Sequence, residues 1–339
     1  MAFEPGFVKQ EALDLLALSS SIEDVHDPII PNPPAGWACV FDGPIIGPFD
    51  NKWQLWKRAA DGAFAIAVRG TVDKPGSIIE DVIALMITAS GSLKIGATTI
   101  DYTFAADPEA GVHLGFALGA LVLLKARDNG ILARLNQQGI GAGSKVYVTG
   151  HSQGAAVATL IRSYLDHAAE APTGIDYKTY IFAQPKPGND HYAADFDHRF
   201  SKPYLAYCIN NSMDWVPQVP FTLQFIGDID KPNPISAHIP LPLQLALAAT
   251  ERGVKETRDA QLARNMANFQ SLATQLALSV DSNALVTGSH DLSIPIKPSL
   301  NYVNAGTLWP LIGRPCSGDE CKDGFFEHHA TTYYGLLSA

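Results

Sequence analysis

Short apolar runs, bounded by Gly, Pro and polar residues, alternate along the chain with longer stretches of helical period. The strand-like runs are "WACVF" (37–41), "WQLWKR" (53–58), "AFAIAVRGT" (63–71), "KVYVT" (145–149), "YKTYIFAQP" (177–185), "PYLAYCINN" (203–211) and "NYVNAGTLWPLIG" (301–313). Helical stretches fall at Val8–Leu18, at "HLGFALGALVLLKARDNGILARLNQQG" (113–139) and at "GAAVATLIRSYLDHAA" (154–169). Strands alternating with helices predict an α/β protein with a mostly parallel sheet covered on both faces.

One region departs from this rhythm. From Val254 to Val286 there is no Gly or Pro, and Leu262, Met266, Phe269, Ala273, Leu276 and Val280 recur at alternating steps of four and three. That spacing predicts a helix with one apolar stripe, packed on the core, capping a site or meeting lipid. No repeat or low-complexity tract interrupts the chain. We therefore expect a single domain over 1–339 with a helical insertion over 240–286.

Composition narrows the partners. With 339 residues, 47% of them hydrophobic and 17% charged, the chain has ample material for a core. Its longest apolar runs stop well short of a bilayer crossing, so no integral membrane segment is expected. The formal net charge of -10 disfavours nucleic acid or an anionic membrane surface as partner and is silent on neutral lipids. The start, "MAFEPGFVKQEALDLLALSSS", lacks the basic residues and long apolar stretch of a signal peptide. Either the protein is not exported by such a signal, or this is the mature form of a secreted or periplasmic protein. Of four cysteines, Cys316 and Cys321 in "RPCSGDEC" are spaced for a small disulfide loop, while Cys39 and Cys208 lie in strand-like runs.

The candidate chemistry sits in "VTGHSQGAAVATL", where a strand gives way to a helix. A Gly-x-Ser-x-Gly run at such a joint is the nucleophile-elbow pattern. Gly150 and Gly154 let strand and helix approach, and the helix N-terminus behind Ser152 offers N–H groups to an oxyanion, that of Gln153 first. A serine nucleophile needs a base, and the base an orienting acid. Asp214 follows a strand-like run, whereas Asp228 and Asp230 lie in a Pro-rich loop and read as solvated turn residues. Among the late histidines, His238, His290, His328 and His329, only the last two follow the final strand-like run. Thr71, closing "AVRGT", offers a second oxyanion donor.

These pieces together resemble the class 3 lipases, the fungal-lipase-like branch of the α/β-hydrolases. "VRGT", "VHLGF", "VTGHSQGAAVATL", "FAQPKPGN", "NNSMDWVPQVP", "NAGTLW" and "HHATTYYG" follow one another in the family's order between about Ala63 and Gly335. The resemblance implies an α/β-hydrolase fold and a catalytic set of Ser152, Asp214 and His329. It places the base at His329 rather than His328, by its distance from Tyr333, Tyr334 and Gly335. It also implies an oxyanion hole from Thr71 and Gln153 and a lid over "GSIIEDVIAL", with Asp81 holding the oxyanion hydroxyl. Two positions depart from the family pattern: Gln153 stands where many members have Leu, and Val68 stands in place of an aromatic. The implied activity is hydrolysis of lipid esters, triacylglycerol foremost, with no metal or cofactor. The alternatives are a phospholipase A1, a polyester or aryl esterase, an acyltransferase to an alcohol, and a non-catalytic lipase-like interaction protein. The implied partner is a lipid ester substrate, with an oil–water interface as its setting and the oligomeric state open.

Overall fold

The computed structural model describes residues 3–22, 28–46, 50–70, 85–95, 97–222, 239–280 and 292–339. Its main sheet has seven strands that lie side by side in chain order. They are β1 (Trp37–Asp42), β2 (Trp53–Arg58), β3 (Phe64–Val68), β4 (Lys145–His151), β5 (Asp176–Phe182), β6 (Ala206–Asn211) and β7 (Thr307–Leu311). The first three pair antiparallel, and from β3 to β7 every pair is parallel. β4, β5 and β6 are buried almost throughout, as strands covered on both faces must be.

Alternation along the strands divides the interior into two cores. Val146 and Val148 face one layer, with α2 (Leu114–Lys125) and α3 (Gln153–His167). Tyr147, Tyr180 and Tyr207 face the other, with α1 (Lys9–Ser20) and α5 (Ala330–Ser338). The small residues at the start of α3, Gly154 to Ala156, let that helix lie close against β3 and β4. A Cβ on Gly154 would meet the carbonyls of Val68 and Arg69.

Three features differ from the sequence reading. The helical stretch over 113–139 is two helices, α2 and a second over Ile131–Gln137. The chain turns at Ala126, which is extended, and folds back so tightly that a Cβ on Gly130 would overlap the Ala126 carbonyl. Residues 86–113, with no strand in the sequence reading, supply two of the five strands of one smaller antiparallel sheet and two of the three strands of another. The long helix α4 runs from Leu241 to Val280, beginning thirteen residues before the apolar stripe's Gly-free stretch and passing through Gly253. Of that stripe, Ala273 and Leu276 are buried against the core beside α2. The side chains of Leu262, Met266, Phe269 and Val280 lie outside what is described.

Candidate active site

β4 ends at His151, and α3 starts two residues later, leaving Ser152 alone in the joint. Its φ of 59° and ψ of -133° lie in a region that side chains rarely adopt. The turn is held on both sides: the Ser152 N–H donates to the Phe182 carbonyl at 3.0 Å, and its carbonyl accepts from the Ala155 N–H at 2.9 Å. Gly150 is required here, because a Cβ there would run into the backbone of Gly154. The serine is thus presented at the C-terminal end of the central strand, buried but at the rim of the parallel sheet.

The hydrogen bonds from Ser152 run through His328. Ser152 Oγ lies 2.8 Å from His328 Nε2, and His328 Nδ1 lies 2.8 Å from Asp214 Oδ2. The side chains of His328 and Asp214 are almost fully buried. Asp214 follows β6 in a short loop, where its Oδ1 accepts from the Val216 N–H at 2.9 Å. Its Oδ2 also accepts from the Tyr333 hydroxyl at 2.8 Å, and that hydroxyl in turn accepts from the Asn211 N–H at 3.0 Å. Three donors therefore converge on one carboxylate.

The structure corrects the choice of histidine. His329, which the resemblance put beside the serine, points outward, half exposed, with its Nε2 2.6 Å from Asp323 Oδ2. Residues Phe326–His328 form a 3-10 turn and α5 begins at Ala330, with His329 in an extended conformation between them. That step throws the two neighbouring side chains to opposite sides. His151 pins the inner one, its Nε2 donating to the His328 carbonyl at 2.9 Å. Glu327 joins the same brace, its carbonyl and carboxylate accepting from the Asn211 side-chain amide at 2.9 and 2.8 Å.

The remaining expectations divide. Gln153 is buried as the first residue of α3, directly after the serine. Thr71, Asp81 and most of "GSIIEDVIAL" lie outside the described residues, as do Asp228, Asp230, His238 and His290. Gly70, just before Thr71, packs against the elbow: a Cβ on it would sit 3.3 Å from Ser152 Cβ. Gln184, in "FAQPKPGN", is a buried structural link. Its buried amide donates to Thr159 Oγ1 at 2.8 Å and accepts from the Ala305 N–H at 3.0 Å, tying β5 to α3 and to the turn before β7. His113 of "VHLGF" caps α2, its Nδ1 accepting from the Phe116 N–H at 3.4 Å. Cys316 and Cys321 are disulfide-bonded, closing the loop that precedes the His328 turn.

Sequence reasoning passed over three residues that organise the site: His151, Asn211 and Tyr333. Tyr333 carried the one usable signal, as half of an aromatic pair at the start of a terminal helix. Exposed apolar side chains lie at the acid loop: Met213 and Trp215 within it and Ile312 just after the end of β7, which bonds to it, and Trp215 packs on Phe325 at a ring distance of 5.4 Å. No group of His, Cys, Asp and Glu among the described residues has the arrangement of a metal site.

Residues 65–224 match the family model for lipase (class 3). Over that stretch, 160 of the 339 residues, the chain is similar to the class 3 lipases. A secreted mono- and diacylglycerol lipase, LIP1 of Malassezia globosa, is 38% identical over 76 residues, which make up 22% of this chain and 23% of that protein. The matched stretch thus spans about a quarter of that relative. Among solved structures, M37 lipase superposes with a TM-score of 0.51 at 18% identity, covering 84% of this chain and 93% of its own. Lip2 lipase from Yarrowia lipolytica does so with a TM-score of 0.47 at 21% identity, covering 65% and 77%. With the sheet order above, the likeness to M37 lipase identifies the α/β-hydrolase fold.

Burial has a consequence for pH. His151 is held well below its ordinary pKa of 6.5, first by desolvation and then by the neighbouring His328. It stays neutral in the fold while the unfolded chain takes up a proton below about pH 6.5, so acid favours unfolding. Stability measured by urea denaturation should fall with decreasing pH from about 6.5, with a contribution from His151 of up to about 1.4 kcal/mol per pH unit. His151→Gln should flatten that slope. An unchanged slope in the variant would remove His151 from this account.

Proposed function

We propose that this protein hydrolyses lipid esters, acylglycerols foremost, with Ser152 as nucleophile, His328 as general base and Asp214 as its orienting acid. The observation that carries the proposal is the unbroken run of hydrogen bonds from Ser152 through His328 to Asp214, on a serine held at positive φ. Nucleophile, base and acid in that order are what acyl transfer requires.

In this reading Asp214 keeps the Nδ1 tautomer of His328, leaving Nε2 to take the serine proton. Oγ attacks the ester carbonyl, and Asp214 stabilises the imidazolium that forms. The oxyanion is received by the backbone N–H of Gln153 at the start of α3 and by Thr71, one residue beyond the Gly70 that packs on the elbow. His328 returns its proton to the leaving alcohol, and a water activated by the same ring releases the acid from the acyl-enzyme. The chemistry calls for no metal or cofactor.

Exposed apolar Met213, Trp215 and Ile312 at the acid loop support a substrate with acyl chains. The partial match to a mono- and diacylglycerol lipase supports acylglycerols as its class. That relative's secretion, with the Cys316–Cys321 disulfide, supports an oxidising, extracytoplasmic location. The test is a panel of p-nitrophenyl esters of rising chain length, emulsified di- and triacylglycerol, and phosphatidylcholine. Acylglycerols should be hydrolysed faster than phosphatidylcholine. A preference for phosphatidylcholine would overturn the substrate class, and a folded chain that turns over none of them would overturn the activity.

A further inference from the structure

The two ends of α4 have opposite surroundings. At its C-terminal end Ala273, Leu276 and Ala277 are buried in the core. At its start, all ten residues of "LPLQLALAAT", Leu241–Thr250, are exposed. The leucines there keep much of their surface in water: Leu241 66%, Leu243 50%, Leu245 63% and Leu247 40%.

The arrangement of those leucines limits what can cover them. At 100° per residue, Leu241 and Leu245 share one side of the helix, while Leu243 and Leu247 lie about 200° away on the other. A groove on a partner protein covers one side of a helix and leaves the opposite leucines in water. An acyl layer surrounds the helix and buries both pairs.

Charge and hydrogen bonding point the same way. From Ile239 to Thr250 there is no charged residue, and then Glu251, Arg252, Lys255, Glu256, Arg258 and Asp259 supply three charges of each sign. That balance suits the headgroups of a neutral or zwitterionic surface and not an anionic one. The tip also presents few unmade backbone donors, which are costly in hydrocarbon. Pro240 and Pro242 have no N–H. Leu243 and Gln244 both donate to the Pro240 carbonyl, at 2.9 and 3.0 Å, and the Gln244 side chain donates to the Ile239 carbonyl at 2.7 Å. Ten helical residues span about 15 Å, half of a hydrocarbon core of about 30 Å. None of the described helices is long and apolar enough to cross a membrane, so the fit is to a single leaflet or monolayer.

We propose that Leu241–Thr250 is a lipid-inserting tip that enters the acyl layer of a neutral or zwitterionic lipid surface. It extends the lipid-ester reading by giving the enzyme a foothold on its substrate phase outside the catalytic site. It stands or falls apart from that reading, because binding is measured without turnover.

The experiment is sedimentation with sucrose-loaded phosphatidylcholine vesicles, comparing the wild-type chain with Leu243→Glu/Leu247→Glu and Leu243→Ser/Leu247→Ser. The serine pair keeps the charge unchanged. Each leucine removed from hydrocarbon is worth about tenfold or more, so both variants should bind about a hundredfold more weakly. Turnover of a soluble p-nitrophenyl ester should stay within about twofold of wild type, which also reports correct folding. Wild-type binding that the serine pair leaves intact would overturn the proposal, as would a wild-type chain that ignores the vesicles. So would a wild-type dimer that the variants dissolve while vesicle binding persists, since the tip would then be an interface between copies.

Discussion

Replacing His328 with alanine is expected to lower turnover on a short-chain ester by at least about a thousandfold, while His329→Ala stays within about tenfold. The two residues are neighbours of the same type, so any difference comes from geometry. His328 sits between Ser152 and Asp214 at 2.8 Å from each, and His329 is half exposed against Asp323. In the proposed mechanism, losing His328 removes the group that takes the serine proton and returns it to the leaving alcohol. Losing His329 removes a surface ion pair, the kind worth at most about 1 kcal/mol. Turnover measured for both variants at matched folding separates the two. A dead His329→Ala with an active His328→Ala would reverse the assignment.

The second large effect is expected at the acid. Asp214→Asn should cut turnover by about ten-thousandfold, because an amide can donate to Nδ1 and favour the wrong tautomer. Tyr333 supplies a finer probe of the same carboxylate. Its hydroxyl donates to the Oδ2 that holds His328 and takes the Asn211 N–H, so Tyr333→Phe strips one bond from the acid and leaves a buried donor unmet. A hydrogen bond to a charged group is worth about 1.5–3 kcal/mol, which predicts a loss of about ten- to a hundredfold. A Tyr333→Phe enzyme with wild-type turnover would reduce Tyr333 to a packing residue.

Much of this arrangement was legible in the chain. β4, the elbow and α3 were readable because small residues must stand where strand and helix touch, and Gly150 and Gly154 do. The parallel order of β3 to β7 followed from buried strands alternating with helical stretches. Asp214 stood apart from Asp228 and Asp230 by its position after a strand-like run, and it lies against His328 in the fold. The histidine was not separable, because adjacent residues of one type share every local signal. What decides between them is a 3-10 turn over Phe326–His328 and a long-range bond from His151, 177 residues away in sequence. Tyr333 was missed for the same reason: its role depends on a carboxylate 119 residues upstream. The start of α4 fell inside the insertion expected over 240–286, but the exposure of its leucines was not readable, because leucines spread around a helix leave no one-sided stripe to detect.

The most direct test of the central claim is to map the site of fluorophosphonate labelling by peptide mass spectrometry in the wild type, His328→Ala and His329→Ala. The account predicts a single label on Ser152 in the wild type, an undiminished rate in His329→Ala, and labelling slowed by orders of magnitude in His328→Ala. A label on another residue, or on Ser152 at the wild-type rate without His328, would contradict it.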